Sequence, residues 1–551
     1  MDKKYDKGLY FIPLGGVGEI GMNLYLYGCD NKWIAVDMGI GFAGDDFPGI
    51  DIMMVDPTFI EERRKDFLGV VVTHAHEDHI GAIAHLWSKI KFPVYATPFA
   101  AEMLEPRLDE TGLLGRVDVD VLPLNSTINL GPFEIRFISV THSIPEANAL
   151  FIKTPYGNIV HSGDWKFDTD PLIGEESDYK TLKSVGKEGV LAFVCDSTNV
   201  LVEGKSKSES EVRNSLVTLF SKFKKRIAVA CFSSNVARIE SIAWAAKANG
   251  RQVCLVGRSL WKVEDAAKAV GYLDGVNFLT ESEAGFLPEN EILYICTGSQ
   301  GETGSALLRI ASDNHKHIYL DEGDVVIFSS RVIPGNEKSI LKLQNILAEK
   351  KIEIITGKDE LVHVSGHPPK EEIRKMYGFL KPKIAIPIHG EPIHLIEHEK
   401  LALSLGVDKA LRVNNGQVIK FEDDDASVID EFDVGILVLD GNRLVSLDSN
   451  LIKMRRKIMW NSSAVVSVAI DKKGNVKGNI QISAPDLLED IESPDILQKI
   501  IGDAQKSLAK MLKEDKLDDG KVSETLRLAV RHSFTAICGK KPLINVHVIR
   551  I

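Results

Sequence analysis

Gly69-Val-Val-Val-Thr73-His74-Ala-His76-Glu-Asp78-His79 is the stretch on which the reading of this chain turns. Its first half is short, apolar and β-branched, the composition of a buried strand. Its second half holds three imidazoles and two carboxylates, three of the five being His74, His76 and His79. Neither a helical nor a strand period puts His74, His76, Asp78 and His79 on one face. At the end of a strand that enters a turn and then a helix, they can converge on one point. Imidazole nitrogens with a hard carboxylate suit Zn²⁺ and also Mn²⁺. Four candidate ligands in one segment imply more than one metal, because a catalytic site keeps coordination positions open.

The remaining ligands are expected at other strand ends. His142 follows the run FEIRFISV, Asp164 follows NIVHSG, and His389 follows KIAIPI, each where a turn with Gly or Pro begins. Asp37 ends the run KWIAVD and is the expected carboxylate behind a ligating histidine. Gly16-Val-Gly18-Glu-Ile-Gly21 spells a dinucleotide fingerprint, but an alternating strand, Asn23-Leu-Tyr-Leu-Tyr, follows where a helix must open. These glycines are read instead as a tight turn beside the site.

Around these motifs the chain is organised in blocks. The first 207 residues are strand-rich, with Gly81–Lys91 and Ala100–Glu105 as helical patterns, and predict sheet packed on sheet under helices. Residues 208–366 alternate helix and strand like a separate parallel α/β domain. Residues 367–445 return to the earlier style, so one domain is interrupted by another. A polar, basic stretch at 446–462 is expected as a linker, and 463–551 as a small α+β domain.

Composition bounds the function. At 551 residues with 44% hydrophobic and 26% charged side chains, the chain can bury several cores without a disulfide scaffold. Six scattered cysteines, no signal-peptide pattern and no membrane-length apolar run give an expected cytoplasmic location without membrane association. A net charge of −12 does not advertise nucleic-acid binding, so a polyanion would be gripped by local clefts and metal ions. The basic cluster at 222–226 has the pattern of a solvated helix end.

The five metal motifs, in order Asp37, His74–His79, His142, Asp164 and His389, resemble the metallo-β-lactamase superfamily. Within it, Cys195-Asp196-Ser-Thr-Asn199 and the later His363-Val364-Ser365-Gly366-His367 resemble the β-CASP group of nucleic-acid-processing hydrolases. SGDWKFD (162–168), CFSSNVARIES (231–241), TGSQGE (297–302), VIPGNE (332–337) and KPKIAIPIHGE (381–391) are similar to the ribonuclease J family, over essentially the whole chain. Glu146 and Thr303 depart from the family pattern in substrate loops.

The resemblance implies an αββα metallo-β-lactamase sandwich, an inserted parallel α/β β-CASP domain and a small C-terminal α+β domain. It implies two divalent ions, Zn²⁺ or Mn²⁺: His74, His76 and His142 on one, Asp78, His79 and His389 on the other, Asp164 bridging. The activity implied is hydrolysis of single-stranded RNA, 5′→3′ from a 5′-monophosphate end and also internally, in RNA maturation and mRNA decay. Homodimers or homotetramers through the C-terminal domain, and partners in an RNA-degradation complex, are implied as well. The expected chemistry is in-line attack by a hydroxide activated between two metals. Asp196 would orient or keep protonated His367, the candidate general acid, with Asp78 assisting proton handling. A turn histidine capping backbone is the alternative for His367. Ser233 and Asn235, with His363, Val364, Ser365, Gly366 and His367, are candidates for the terminal-phosphate pocket; a plain helix cap explains Ser233 and Asn235 nearly as well. Three rival readings remain: a small-ester or β-lactam hydrolase, a DNA nuclease, and a non-catalytic RNA-binding scaffold.

Overall fold

The structure is a computed structural model and describes residues 5–44, 47–488, 493–511 and 514–551. The chain divides into two compact units, Met1–Gly41 with Met54–Gly435, and Phe42–Met53 with Ile436–Ile551.

In the first unit, two mixed sheets pack face to face. One has eight strands, with Leu9–Gly15, Leu24–Cys29, Lys32–Val36 and Phe67–Val71 as consecutive central neighbours. The other has seven, in the order Lys409–Ala410, Ile384–Ile388, Ala192–Asp196, Gly157–His161, Asn148–Thr154, Phe133–Ser139, Thr127–Leu130. Strand alternation distributes the side chains. Phe11, Tyr27 and Val36 of one sheet meet Ile135, Leu150, Ile152 and Ile386 of the other in a single buried cluster. Their neighbours Ile138, Phe151, Phe193 and Ala385 point the other way, against Leu182, Met376 and Leu401 of the helices Tyr179–Glu188, Lys370–Leu380 and Pro392–Ser404. On the eight-stranded sheet, Phe67–Val71, Val94–Ala96 and Val119–Val121 pair in parallel, with Ile83–Ile90 and Pro98–Glu110 as crossover helices. The expected sandwich is what forms.

The insertion is a five-stranded, all-parallel sheet, Gln252–Val256, Ile292–Cys296, Ile227–Ala230, Val325–Phe328, Glu353–Ile355, with the first strand in sequence at its centre. Strands buried on both faces read as continuous apolar runs, as here. Before and after it the chain occupies adjacent places in one sheet: Ala192–Asp196 pairs in parallel with Ile384–Ile388, Asp196 opposite Ile388. That register brings two motifs almost 200 positions apart in the sequence to one edge.

In the second unit, Ser463–Ile470 pairs antiparallel with Val476–Ser483 and parallel with Leu543–Arg550. Ala464, Val466, Val468 and Ile470 alternate inward against Ile500, Leu526 and Phe534 of the helices Ser493–Ala509 and Asp519–Cys538. The stretch expected as a linker is not an extended connector. Asn450–Asn461 is a helix capped by Ser449, and its Ile452 is buried with Ile50 and Val438. The charged face dominates the composition of 446–462 and hides this narrow apolar stripe. Among the described residues, no helix is long and apolar enough to cross a membrane.

Candidate active site

Strand direction assembles the site. In the seven-stranded sheet, Phe133–Ser139 and Gly157–His161 both run antiparallel to Asn148–Thr154 between them. Gly157–His161, Ala192–Asp196 and Ile384–Ile388 are mutually parallel. All four therefore end at the same edge, where His142, Asp164, Asp196 and His389 emerge. In the facing sheet the parallel pair Lys32–Val36 and Phe67–Val71 delivers Asp37 and Thr73-His74.

Among the described residues, three side-chain groups with metal-ligand chemistry result, each with its ligand atoms within 4.8 Å of one another: His74, His76, His142 and Asp164; Asp78, His79, Asp164 and His389; and Asp164, Asp196, His367 and His389. In the first, His76 Nδ1 lies 3.0 Å from His74 Nε2 and 3.1 Å from His142 Nε2. Ligands of a tetrahedral ion with bonds of about 2.1 Å stand about 3.4 Å apart, so these nitrogens are spaced as a cation would hold them. Asp164 Oδ2 stands 3.8 Å from the Nε2 atoms of both His74 and His142 and 3.4 Å from that of His79. His389 Nε2 completes the second group, 3.2 Å from Asp78 Oδ2. Burial holds His76 at about 4 and His74 and His142 well below the usual imidazole range, which leaves them neutral and able to donate a lone pair. Burial also works against a charged His79, but Asp164, Asp78 and Asp37 outweigh it and raise that ring. The residues present fit divalent metal binding.

The surrounding shell fixes the rings. Asp37 Oδ2 lies 2.7 Å from His79 Nδ1, and Thr73 donates its N–H and its hydroxyl to Asp37 at 2.8 Å each. Asp37 and His389 hold left-handed backbone, φ +61° and +50°, a local cost retained where it aims a side chain. The glycine turn lies beside the site: Gly16 accepts the N–H of His389 at 2.7 Å. Gly16 has φ +81°, and a Cβ there would fall 2.2 Å from the Tyr25 hydroxyl oxygen. Asn23, just past the turn, donates to Asp78 at 3.2 Å and faces His79 Nε2 at 3.0 Å. Nothing in its local pattern marks it. Gly366 allows its own carbonyl to sit 2.6 Å from His142 Nδ1, where a Cβ at Gly366 would crowd that ring at 2.7 Å.

His367 comes from the far side of the insertion and meets Asp196, Nδ1 to Oδ2 2.8 Å, with Asp164 Oδ2 at 3.9 Å. Burial disfavours its charge, but Asp196 and Asp164 prevail and raise its pKa. The loop that carries His367 is held by a buried ionic network missed in the sequence reading. Arg238, fully buried, grips Glu209 through two bonds of 2.7 and 2.9 Å and donates to the Ser329 hydroxyl and the Val362 carbonyl. Glu209 N–H donates to Asp168, which also pairs with buried Lys166 at 2.8 Å. The WKFD and NVARIES motifs carry Lys166, Asp168 and Arg238, which supplies a physical reason for those residues.

The expected phosphate-pocket residues are only partly brought together. Asn235, Val364 and Ser365 line a cavity of about 300 Å³ with Glu146, Lys166 and Tyr272; Ser233, His363 and His367 do not line it. Asn235 caps its helix, accepting Arg238 N–H at 2.9 Å. Ser365 accepts from Asn199 Nδ2 at 2.8 Å, and His363 Nδ1 faces Arg238 at 3.4 Å. Glu146, with φ +59°, accepts Phe99 N–H in the first turn of Pro98–Glu110 at 2.7 Å.

Comparison with known proteins bears on the whole chain. Residues 18–192 match the metallo-beta-lactamase superfamily, 224–347 the ribonuclease J beta-CASP domain, 351–411 a Zn-dependent metallo-hydrolase RNA specificity domain, and 450–551 the ribonuclease J C-terminal domain. A protein of Sinorhizobium meliloti named Ribonuclease J is 40% identical over 100% of this chain and 99% of its own length. One of the same name from Helicobacter pylori is 32% identical over 97% of this chain and 78% of its own. A crystal structure of a protein of unknown function from Enterococcus faecalis shares the fold, with TM-score 0.53 at 16% identity over 75% of this chain and 100% of that one. The metal-ligand geometry and a full-length match of this kind agree, and the chain belongs to the ribonuclease J family, metal-dependent hydrolytic ribonucleases of the metallo-β-lactamase and β-CASP type.

Proposed function

We propose that this chain degrades single-stranded RNA both 5′→3′ from a 5′-monophosphate end and internally, in RNA maturation and mRNA decay in the cytoplasm. The observation that carries the mechanism is the His367–Asp196 contact of 2.8 Å beside Asp164. His74, His76 and His142 would hold one divalent ion and Asp78, His79 and His389 the other, with Asp164 between them and Zn²⁺ favoured by the nitrogen-rich set. When bound, such a pair supplies an activated water and neutralises charge on phosphoryl oxygens. His367, kept protonated by Asp196, gives its proton to the leaving 3′ oxygen. Asp196 then stabilises orientation and charge rather than exchanging the proton itself. Ser233, Asn235 and the loop 363–367 are assigned to the RNA side of the site, and the C-terminal unit to self-association as a dimer or tetramer, with degradation-complex partners beyond it.

The test incubates the protein with 5′-monophosphate and 5′-triphosphate forms of one RNA and a matching DNA, with Mn²⁺ or Zn²⁺. Mononucleotides should accumulate from the monophosphate RNA and vanish in His76→Ala. Asp196→Asn and His367→Gln should lower kcat about 10²- to 10⁴-fold with bound metal unchanged. Internal cuts alone would remove the terminal-phosphate reading. No RNA turnover by protein shown to carry metal would remove the nuclease reading itself.

A further inference from the structure

TGSQGE and VIPGNE contribute no metal ligand and no proton donor, yet they meet in one construction. Gln300, almost fully buried, donates its amide to the Arg331 carbonyl at 2.8 Å and accepts the N–H of Ile333 at 2.9 Å. One buried amide therefore pins residues 331–333 from both sides. The guanidinium of Arg331 donates to Asn199 Oδ1. The other end of that same amide, Asn199 Nδ2, donates to the Ser365 hydroxyl at 2.8 Å and the His367 carbonyl at 2.9 Å. Arg331 is thus tied through one buried asparagine to the residue that carries the candidate general acid.

Arg331 differs from three other arginines of the insertion that hold carboxylates, and from buried Arg251, which spends its donors on the carbonyls of Lys225, Ile292 and Phe223. Arg213 pairs with Glu240, Arg226 with Asp324 and Arg238 with Glu209. Among the described residues, Arg331 has no carboxylate within ion-pair distance, and its one hydrogen bond leaves most of its five N–H donors open. Arg331 is an exposed residue and so are its neighbours Val332 and Ile333, each 46% exposed. A planar fork of donors, held at its base and left without a counter-charge, matches the oxygens of a phosphate. Apolar side chains next to it suit the ribose and base that flank one.

We infer that Arg331 is a substrate-binding residue, gripping a phosphate of the RNA next to the phosphodiester that His367 serves. The inference rests on the nuclease reading above. Asn199 sets the spacing: it holds the guanidinium at one end and the His367 backbone at the other, so the grip and the proton donor move together. The phosphate is either an internal one or the 5′-terminal group, and the chemistry of recognition is the same.

The experiment measures steady-state cleavage by the full-length, metal-loaded protein and by Arg331→Met and Arg331→Lys, on 5′-monophosphate and 5′-hydroxyl RNA, across a salt series. Arg331→Met should raise KM about 10- to 100-fold with kcat within about 3-fold, the loss expected for a hydrogen-bonded ionic contact. The slope of log KM against log salt should fall by about 0.7, one phosphate contact on a single strand. Arg331→Lys should keep the slope and recover only part of KM, because the charge survives and the fork does not. Equal KM increases on both RNAs assign an internal phosphate, and an increase confined to the monophosphate RNA assigns the terminal one. A fall in kcat with KM and salt slope unchanged would reduce Arg331 to a strut for the His367 loop and overturn the inference. If the wild-type protein cleaves neither RNA, the nuclease reading fails first, and the two failures stay separate.

Discussion

Two buried polar networks brace the site from behind, and they are built from opposite materials. Behind Asp196 and His389 the groups are neutral. The Ser197 hydroxyl lies 2.9 Å from His398 Nδ1, the Tyr377 hydroxyl 3.0 Å from His398 Nε2, and the Thr198 hydroxyl 2.8 Å from His389 Nδ1. Behind the His367 loop the groups are charged: Lys166, Asp168, Glu209 and Arg238, two of each sign. The difference follows from what the backbone already supplies. Asp196 and His389 end strands locked in one parallel ladder, so weak neutral bonds suffice to orient what the ladder has placed. Among the described residues the 362–367 loop pairs with no strand, and its Val362 carbonyl accepts a charge-assisted bond from Arg238 and a second from the Ser329 hydroxyl that Arg238 also holds.

Removing one partner of the ionic network should produce the largest effect. Arg238→Met leaves Glu209 charged and unpaired in the interior, at a cost of about 3–5 kcal/mol of stability in urea unfolding. The double variant Glu209→Gln with Arg238→Met should recover a substantial part of that loss, because no uncompensated charge remains. If single and double variants are equally destabilised, Arg238 acts through packing and the contrast between the networks collapses.

This contrast also explains what the sequence could disclose. The histidine cluster was legible because four candidate ligands crowd into six positions after a strand, and His142, Asp164 and His389 repeat the strand-then-turn signature. The sandwich and the inserted sheet were legible from apolar runs and their change of rhythm. The roles of Asn23, Asn199 and Arg238 were not. Each matters through a partner more than 50 positions away, Asp78, Ser365 and Val362 respectively, and no local period encodes such a distance. Asn235 shows the opposite limit: the sequence offered a cap and a phosphate ligand, and the cap is what its side chain makes here. The helix Asn450–Asn461 escaped because one buried isoleucine among lysines and arginines is a faint signal.

The neutral network should reveal itself through pH. Burial holds His398 at about 4, below the ordinary imidazole value, so the unfolded chain binds this proton more readily than the folded one. Its contribution is complete above about pH 6.5 and declines as pH falls toward the folded value. At pH 5 the loss is about 2 kcal/mol relative to pH 7.5. Gln at this position retains a donor and an acceptor but cannot titrate. His398→Gln should therefore lose about 2 kcal/mol less than the wild type between pH 7.5 and 5, read from urea midpoints. Parallel pH profiles would mean that His398 titrates alike in the folded and unfolded chain, so that its burial in the neutral network carries no pH-dependent stability.

The smallest effect tests how far the ionic network extends. Ser208 and Glu211 form a capping box, Ser208 Oγ accepting Glu211 N–H at 3.2 Å and Glu211 accepting Ser208 N–H at 2.9 Å. The next residue is Glu209, whose N–H reaches Asp168 and whose carboxylate holds Arg238. Ser208→Ala should cost about 1 kcal/mol for the lost cap. Because the cap fixes the backbone from which Glu209 projects, the cost should overlap with that of Arg238→Met, leaving a coupling above about 0.5 kcal/mol in a double-mutant cycle. Against His398→Gln, in the other network, the same cap variant should add to within about 0.5 kcal/mol. Additivity with both partners would confine the ionic network to its four charged side chains. Coupling to Arg238 alone would make the first turn of Glu209–Phe220 part of what sets the His367 loop in place.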